Sequence, residues 1–165
     1  MSVFILNEAE WEFDFDIQDI AQKVIGECLK LEDINLKTEI NVTLVHEEEM
    51  KAINFEQREI DSVTDVLSFP MLEFDEPGVL LAEEIKLNHN PDTDELMLGD
   101  IVICCERMET QAQEFGHSIL REYAFLIAHS MFHLMGYDHM TKEEEQLMFQ
   151  KQDQVLNNLG ITRGE

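Results

Sequence analysis

A helix-length segment with almost no polar face lies late in this chain, and it restricts the possible folds more than any other stretch. Between Ser118 and Gly136, residues such as Ile119, Tyr123, Leu126, Ile127, Met131 and Phe132 would fall on nearly every side of a helix. A helix that is apolar all round lies inside a domain, with other layers packed about it. Ser118 is placed to cap its start, because a serine hydroxyl accepts from the unpaired N–H groups of the first turn. Gly136 is placed to end it, since glycine takes the left-handed conformation past a helix without steric penalty.

This segment also carries chemistry. His129 and His133 are four residues apart, so a helix sets both imidazoles on one face, a turn apart. A turn at Gly136 can bring His139 back as a third ligand. Three neutral imidazoles with a fourth position open form the ligand set of a catalytic zinc site, whereas structural zinc is usually closed by four protein ligands, commonly thiolates. The expectation is one zinc ion per chain on His129, His133 and His139. The same spacing occurs in metzincin proteases, where glutamate follows the first histidine as general base. Here that position is Ser130, which cannot take up a proton as a carboxylate does. A metal site fits; that route to peptide hydrolysis does not.

The rest of the chain reads as layers for this helix. Val3–Leu6 suggests an edge strand. Apolar steps of three and four over Phe15–Leu31, with Asp16 as N-cap, predict an amphipathic helix. Alternation over Glu39–Val45 predicts a half-buried strand. A short helix is expected over His46–Arg58 and a strand over Val63–Phe69, closed by Pro70. Met71–Met97 reads as a long acidic loop with a docking patch at Val79–Ala82. Leu98–Cys105 reads as a buried central strand, and Glu106–Phe115 as a helix. Thr141 with Glu144 forms a capping-box pattern for a last helix running to about Leu156, followed by a tail from Gly160 to Glu165. The order predicts an α+β fold, a single domain over 1–165 with one small mixed β-sheet packed by helices around the central histidine-bearing helix.

Glu122 is two turns before His129, too far for the same metal ion, and suits a network behind the site or a core ion pair. Asp138 could orient an imidazole or accept backbone bonds in the turn. Thr64 and Asp65 favour local backbone bonding.

Composition limits the partners. The formal charge is −25, with only 11 lysines and arginines and no basic cluster. Broad electrostatic capture of nucleic acid is excluded, so an anionic ligand would need a local positive spot or a partner that delivers it. No apolar run reaches membrane-spanning length and the N-terminus lacks a signal-peptide pattern, so a cytoplasmic protein is expected. Cys28, Cys104 and Cys105 offer no disulfide framework, and Cys28 and Cys104 read as core residues.

Three blocks resemble the YbeY family of bacterial metal-dependent endoribonucleases. The segment His129-Ser-Met-Phe-His-Leu-Met-Gly-Tyr-Asp-His139 is similar to its signature. Asn54-Phe-Glu-Gln-Arg58 with Thr64-Asp-Val-Leu-Ser-Phe-Pro70 resembles its upstream motif, and Leu98-Gly-Asp-Ile-Val-Ile-Cys104 its central strand. Ser130 stands for a usual glycine, Phe132 for leucine and Gln57 for an aromatic; none is a presumed ligand. The resemblance implies hydrolysis of single-stranded RNA, maturation of ribosomal RNA at the small-subunit 3′ end, and partners among ribosomes and ribosome-associated proteins, with no DNA and no membrane. It also implies a functional role for Arg58, whose planar fork suits a phosphate oxygen; an ion pair with Asp65 or another carboxylate is the alternative. Two other readings stay open: a ribosome-assembly factor with a structural metal, and a hydrolase of another phosphoester or amide.

Overall fold

The computed structural model describes residues 1–162. The chain runs through β1 (Ser2–Asn7), α1 (Ile17–Leu31), β2 (Thr38–Val45), α2 (Glu47–Arg58), β3 (Val66–Pro70), α3 (Ala82–Leu87), β4 (His89–Asn90), β5 (Glu95–Cys104), α4 (Cys105–Phe115), α5 (Ile119–Leu134) and α6 (Lys142–Asn158). The sheet is mixed, in the order β1-β2-β5-β3, with β1, β2 and β5 parallel and β3 antiparallel to β5. The α+β class and the small mixed sheet are therefore as the sequence predicts.

Strand β5 is buried along nearly its whole length and separates two apolar layers. Ile101 and Ile103 face the larger core with α1, α5 and α6, while Val102 and Cys104 face a smaller one with Met50 of α2 and Leu67 of β3. Alternate side chains of a strand point to opposite faces, so one run of Ile, Val and Cys serves both layers. Helix α5 lies within the larger core, its Tyr123, Leu126, Ile127, Met131 and Phe132 almost wholly buried. All three cysteines are free and buried. Burial pushes the Cys105 thiol up to about 12, so it stays protonated and packs as an apolar group.

Gly99 lets three elements meet. A Cβ there would stand 2.9 Å from Leu134 Cδ2 of α5 and would also strike the Phe69 carbonyl of β3. With φ at +149° and no side chain, β5 approaches both closely.

The acidic segment differs from the expected loop. It contains α3 and the hairpin of β4 with β5, where His89 pairs with Leu96 and Asn90 with Glu95. Helix α3 buries no residue, so it leaves no apolar period to read. The segment docks through Leu72, Phe74, Leu80 and Ile85, whereas Val79 is exposed. At the other end, Ile161 is buried and its carbonyl accepts from Arg121 Nη1 at 2.9 Å; the rest of the predicted tail, 163–165, lies outside the described residues. Among the described residues no helix is long and apolar enough to cross a membrane.

Candidate metal centre

Helix α5 begins where Ser118 Oγ accepts from Arg121 N at 3.1 Å. It ends in a Schellman turn: Gly136 N donates to His133 O at 3.1 Å and Tyr137 N to Phe132 O at 2.9 Å. Gly136 holds φ at +96°, and a Cβ there would lie 2.7 Å from Phe74. Glycine is required both for the backbone angle and for the space. The turn sends the chain back over the helix and delivers His139.

His129, His133 and His139 converge, each offering one ring nitrogen within 4.8 Å of the others. Nε2 of His129 and Nε2 of His133 are 3.1 Å apart. Their Nδ1 atoms are engaged elsewhere. His133 Nδ1 is 3.0 Å from the Tyr137 carbonyl, which can only accept, so Nδ1 carries the hydrogen and Nε2 keeps its lone pair. The turn that delivers His139 thus also orients His133. The pKa of His129 is lowered to about 4, by burial first and by His133 and His139 in addition, with Asp65 opposing. Burial likewise lowers that of His133. At neutral pH both imidazoles are uncharged and available as ligands.

These donors fit a transition metal. Nitrogen-only imidazole sites suit zinc and its neighbours rather than magnesium or calcium. Among the described residues no further His, Cys, Asp or Glu joins the group, which leaves a coordination position open to a substrate or water.

A cleft of about 830 Å³ opens over the histidines, and Arg58 lines it together with Thr64, Ser68 and Tyr137. Arg58 is exposed at the end of α2. Among the described residues no carboxylate pairs with it. The alternative of a structural ion pair with Asp65 is absent. Asp65 instead accepts from Val66 N at 2.8 Å, the local backbone bond its residue type favours.

Residues 4–160 match the family described as Endoribonuclease YbeY. This chain belongs to that family. It is 48% identical to Endoribonuclease YbeY of Agathobacter rectalis, over 99% of this chain and 100% of that protein. It is 43% identical to Endoribonuclease YbeY of Clostridium acetobutylicum, over 91% and 92% respectively. Among solved structures, the solution structure of TM1509 from Thermotoga maritima aligns with a TM-score of 0.57 at 25% identity, covering 95% of this chain and 91% of that one.

Against this YbeY-family background, the remaining residues have distinct places. Ser130 is fully buried and shares a 2.8 Å hydrogen bond with Ser68, tying α5 to β3. It occupies the metzincin base position as a structural link. Asp138 accepts from His139 N at 2.8 Å, a bond within the turn rather than one to an imidazole. Glu122 lies away from the ligands, buried, with Oε2 3.2 Å from His117 Nε2. Sequence reasoning missed Gln152 of α6, whose amide lies 2.6 Å from His129 Nδ1. Its oxygen is buried without a partner. For His129 to present the Nε2 lone pair, Nδ1 must carry hydrogen and needs an acceptor. Gln152 Nε2 stands against the ring in this structure, and a half-turn of the amide would set the unpartnered Oε1 there as that acceptor. A glutamine inside a charged amphipathic helix carries no sequence signal of such a role.

Proposed function

We propose that this chain is a zinc-dependent endoribonuclease that cuts single-stranded RNA in the cytoplasm, acting on ribosomal RNA at the small-subunit 3′ end and in association with the ribosome. His129, His133 and His139 hold the metal ion. When bound, zinc supplies Lewis acidity toward a phosphoryl oxygen and toward water. Arg58 binds and orients the phosphate from across the cleft with its guanidinium fork. The Tyr137 carbonyl and Gln152 keep the imidazoles in the tautomer that faces the ion. The buried layer around α5 holds these groups in fixed relative positions.

One observation carries this reading: three convergent imidazoles, with no fourth protein ligand among the described residues, stand in a cleft that also holds an unpaired arginine. The open position favours catalysis over a purely structural metal. The curated relatives, named as endoribonucleases, supply the substrate class. The test is cleavage of a labelled single-stranded RNA by zinc-loaded protein beside His133→Ala purified in the same way. Cleavage by the parent alone supports the reading. If a zinc-holding parent cuts no RNA, alone or with ribosomes present, the nuclease assignment is wrong.

A further inference from the structure

A second cavity, of about 720 Å³, opens beside the metal centre between α4, α5 and α6. Phe115, Phe125 and Phe149 supply aromatic walls, and Gln111, Asn157 and Asp153 supply polar edges. Phe115 is 56% exposed and Phe149 45%, unusual for large apolar side chains grouped at one opening. The charged groups at the back are already satisfied. His117 and Glu122 pair with each other, and Arg121 donates to the Ile161 carbonyl.

The cavity adjoins the catalytic cleft. Asp65 lines both, and Phe149 also lines the hollow against His129 and His139. The Phe125 ring stacks on His129, with centroids 6.5 Å apart and planes 15° apart.

We propose that this cavity is a nucleobase site, taking one unpaired base of the strand whose phosphodiester lies over the three histidines. The proposal rests on the endoribonuclease reading for the identity of that strand. Charge chooses the base over the backbone. A chain of net charge −25 cannot track phosphates along a basic groove, whereas stacking of a base on aromatic rings needs no positive charge. The edges agree. Asp65 and Asp153 repel a phosphate, while carboxylate and amide oxygens accept from the exocyclic amino groups of adenine, cytosine and guanine. Single-stranded RNA is recognised elsewhere by this combination of stacked rings and base-edge hydrogen bonds.

The test compares the parent with Phe115→Ala/Phe149→Ala and with a Phe115→Trp/Phe149→Trp rescue, since both side chains are exposed enough to change without opening the core. Binding of a fluorescent single-stranded oligoribonucleotide is measured with metal removed. Hydrolysis of RNA and of bis(p-nitrophenyl) phosphate, a phosphodiester without a nucleobase, is measured with zinc bound. The alanine pair is expected to weaken RNA binding ten-fold or more and raise KM for RNA to match. The rate on the small diester stays unchanged, and the tryptophan pair restores binding. Unchanged RNA affinity in the alanine pair, no RNA binding by the parent, or an equal loss on both substrates would overturn the base site. A parent that binds RNA through these rings yet cuts neither substrate would uphold the base site and sink the nuclease reading instead.

Discussion

Gln152 of α6 sets its amide 2.6 Å from Nδ1 of His129 on α5, so the packing of two helices reaches directly into the metal centre. Gln152 is fully buried. Partners behind metal-bound histidines typically govern 10- to 100-fold in metal affinity. Gln152→Leu is therefore expected to weaken zinc binding by about that factor, read by competition with a chromogenic chelator. Gln152→Glu, which keeps an acceptor against the ring, should hold zinc far better than the leucine variant. Equal affinity in all three proteins would remove Gln152 from the site.

Gly136 couples the turn to the ligands. Gly136→Ala would force a side chain to φ +96° and against Phe74. Backbone strain of this kind costs roughly 1–3 kcal/mol. The variant should lose stability by that order in urea unfolding. It should also bind zinc more weakly, because His139 and the Tyr137 carbonyl move with the turn. A variant destabilised but with parental zinc affinity would show that the ligands are placed independently of it.

Local signals made much of this legible in the sequence. Asp16, Ser118 and Thr141 do cap helices, each accepting from backbone N–H groups of its first turn, because capping depends on residues a few positions apart. The convergence of His129, His133 and His139 was readable for the same reason: helix spacing and one glycine bring all three within a short segment. What escaped depends on pairing distant in sequence. Gln152 is 23 residues from His129 and meets it only through the packing of α5 on α6. Strand β5 begins at Glu95 rather than Leu98 because β4 pairs with its start, and a two-residue strand has no pattern of its own. Glu122 had two readings from sequence. Its partner His117 lies five positions earlier, across the bend that separates α4 from α5, and places the carboxyl in a buried contact at 3.2 Å, away from the histidine cluster.

Arg58 should act on substrate and not on metal. A hydrogen bond to a charged group is worth about 1.5–3 kcal/mol, so Arg58→Ala is expected to lower kcat/KM on RNA by roughly 10- to 100-fold. Zinc content and melting temperature should stay parental, since the side chain is exposed and unpaired. Arg58→Lys should recover only part of the loss, because an ammonium lacks the planar fork. Unchanged cleavage and RNA affinity in the alanine variant would show that this arginine plays no part.

Glu122 makes stability depend on pH. Burial raises its carboxyl from about 4.5 to about 7, with the Asp65 charge adding to the rise and Arg121 opposing it. In the unfolded chain the group returns to its ordinary value. The folded state thus binds the proton more tightly, and its advantage is complete below about pH 4.5 and lost as pH rises through about 7. The full swing is on the order of 3 kcal/mol. Glu122→Gln keeps a hydrogen-bonding group against His117 and cannot ionise. Urea midpoints at pH 5 and pH 8 should therefore fall more steeply for the parent than for the variant. His129 and the other titrating groups are common to both proteins, so the difference between the two slopes isolates this carboxyl. Parallel slopes would mean that the Glu122 carboxyl titrates alike in the folded and unfolded protein.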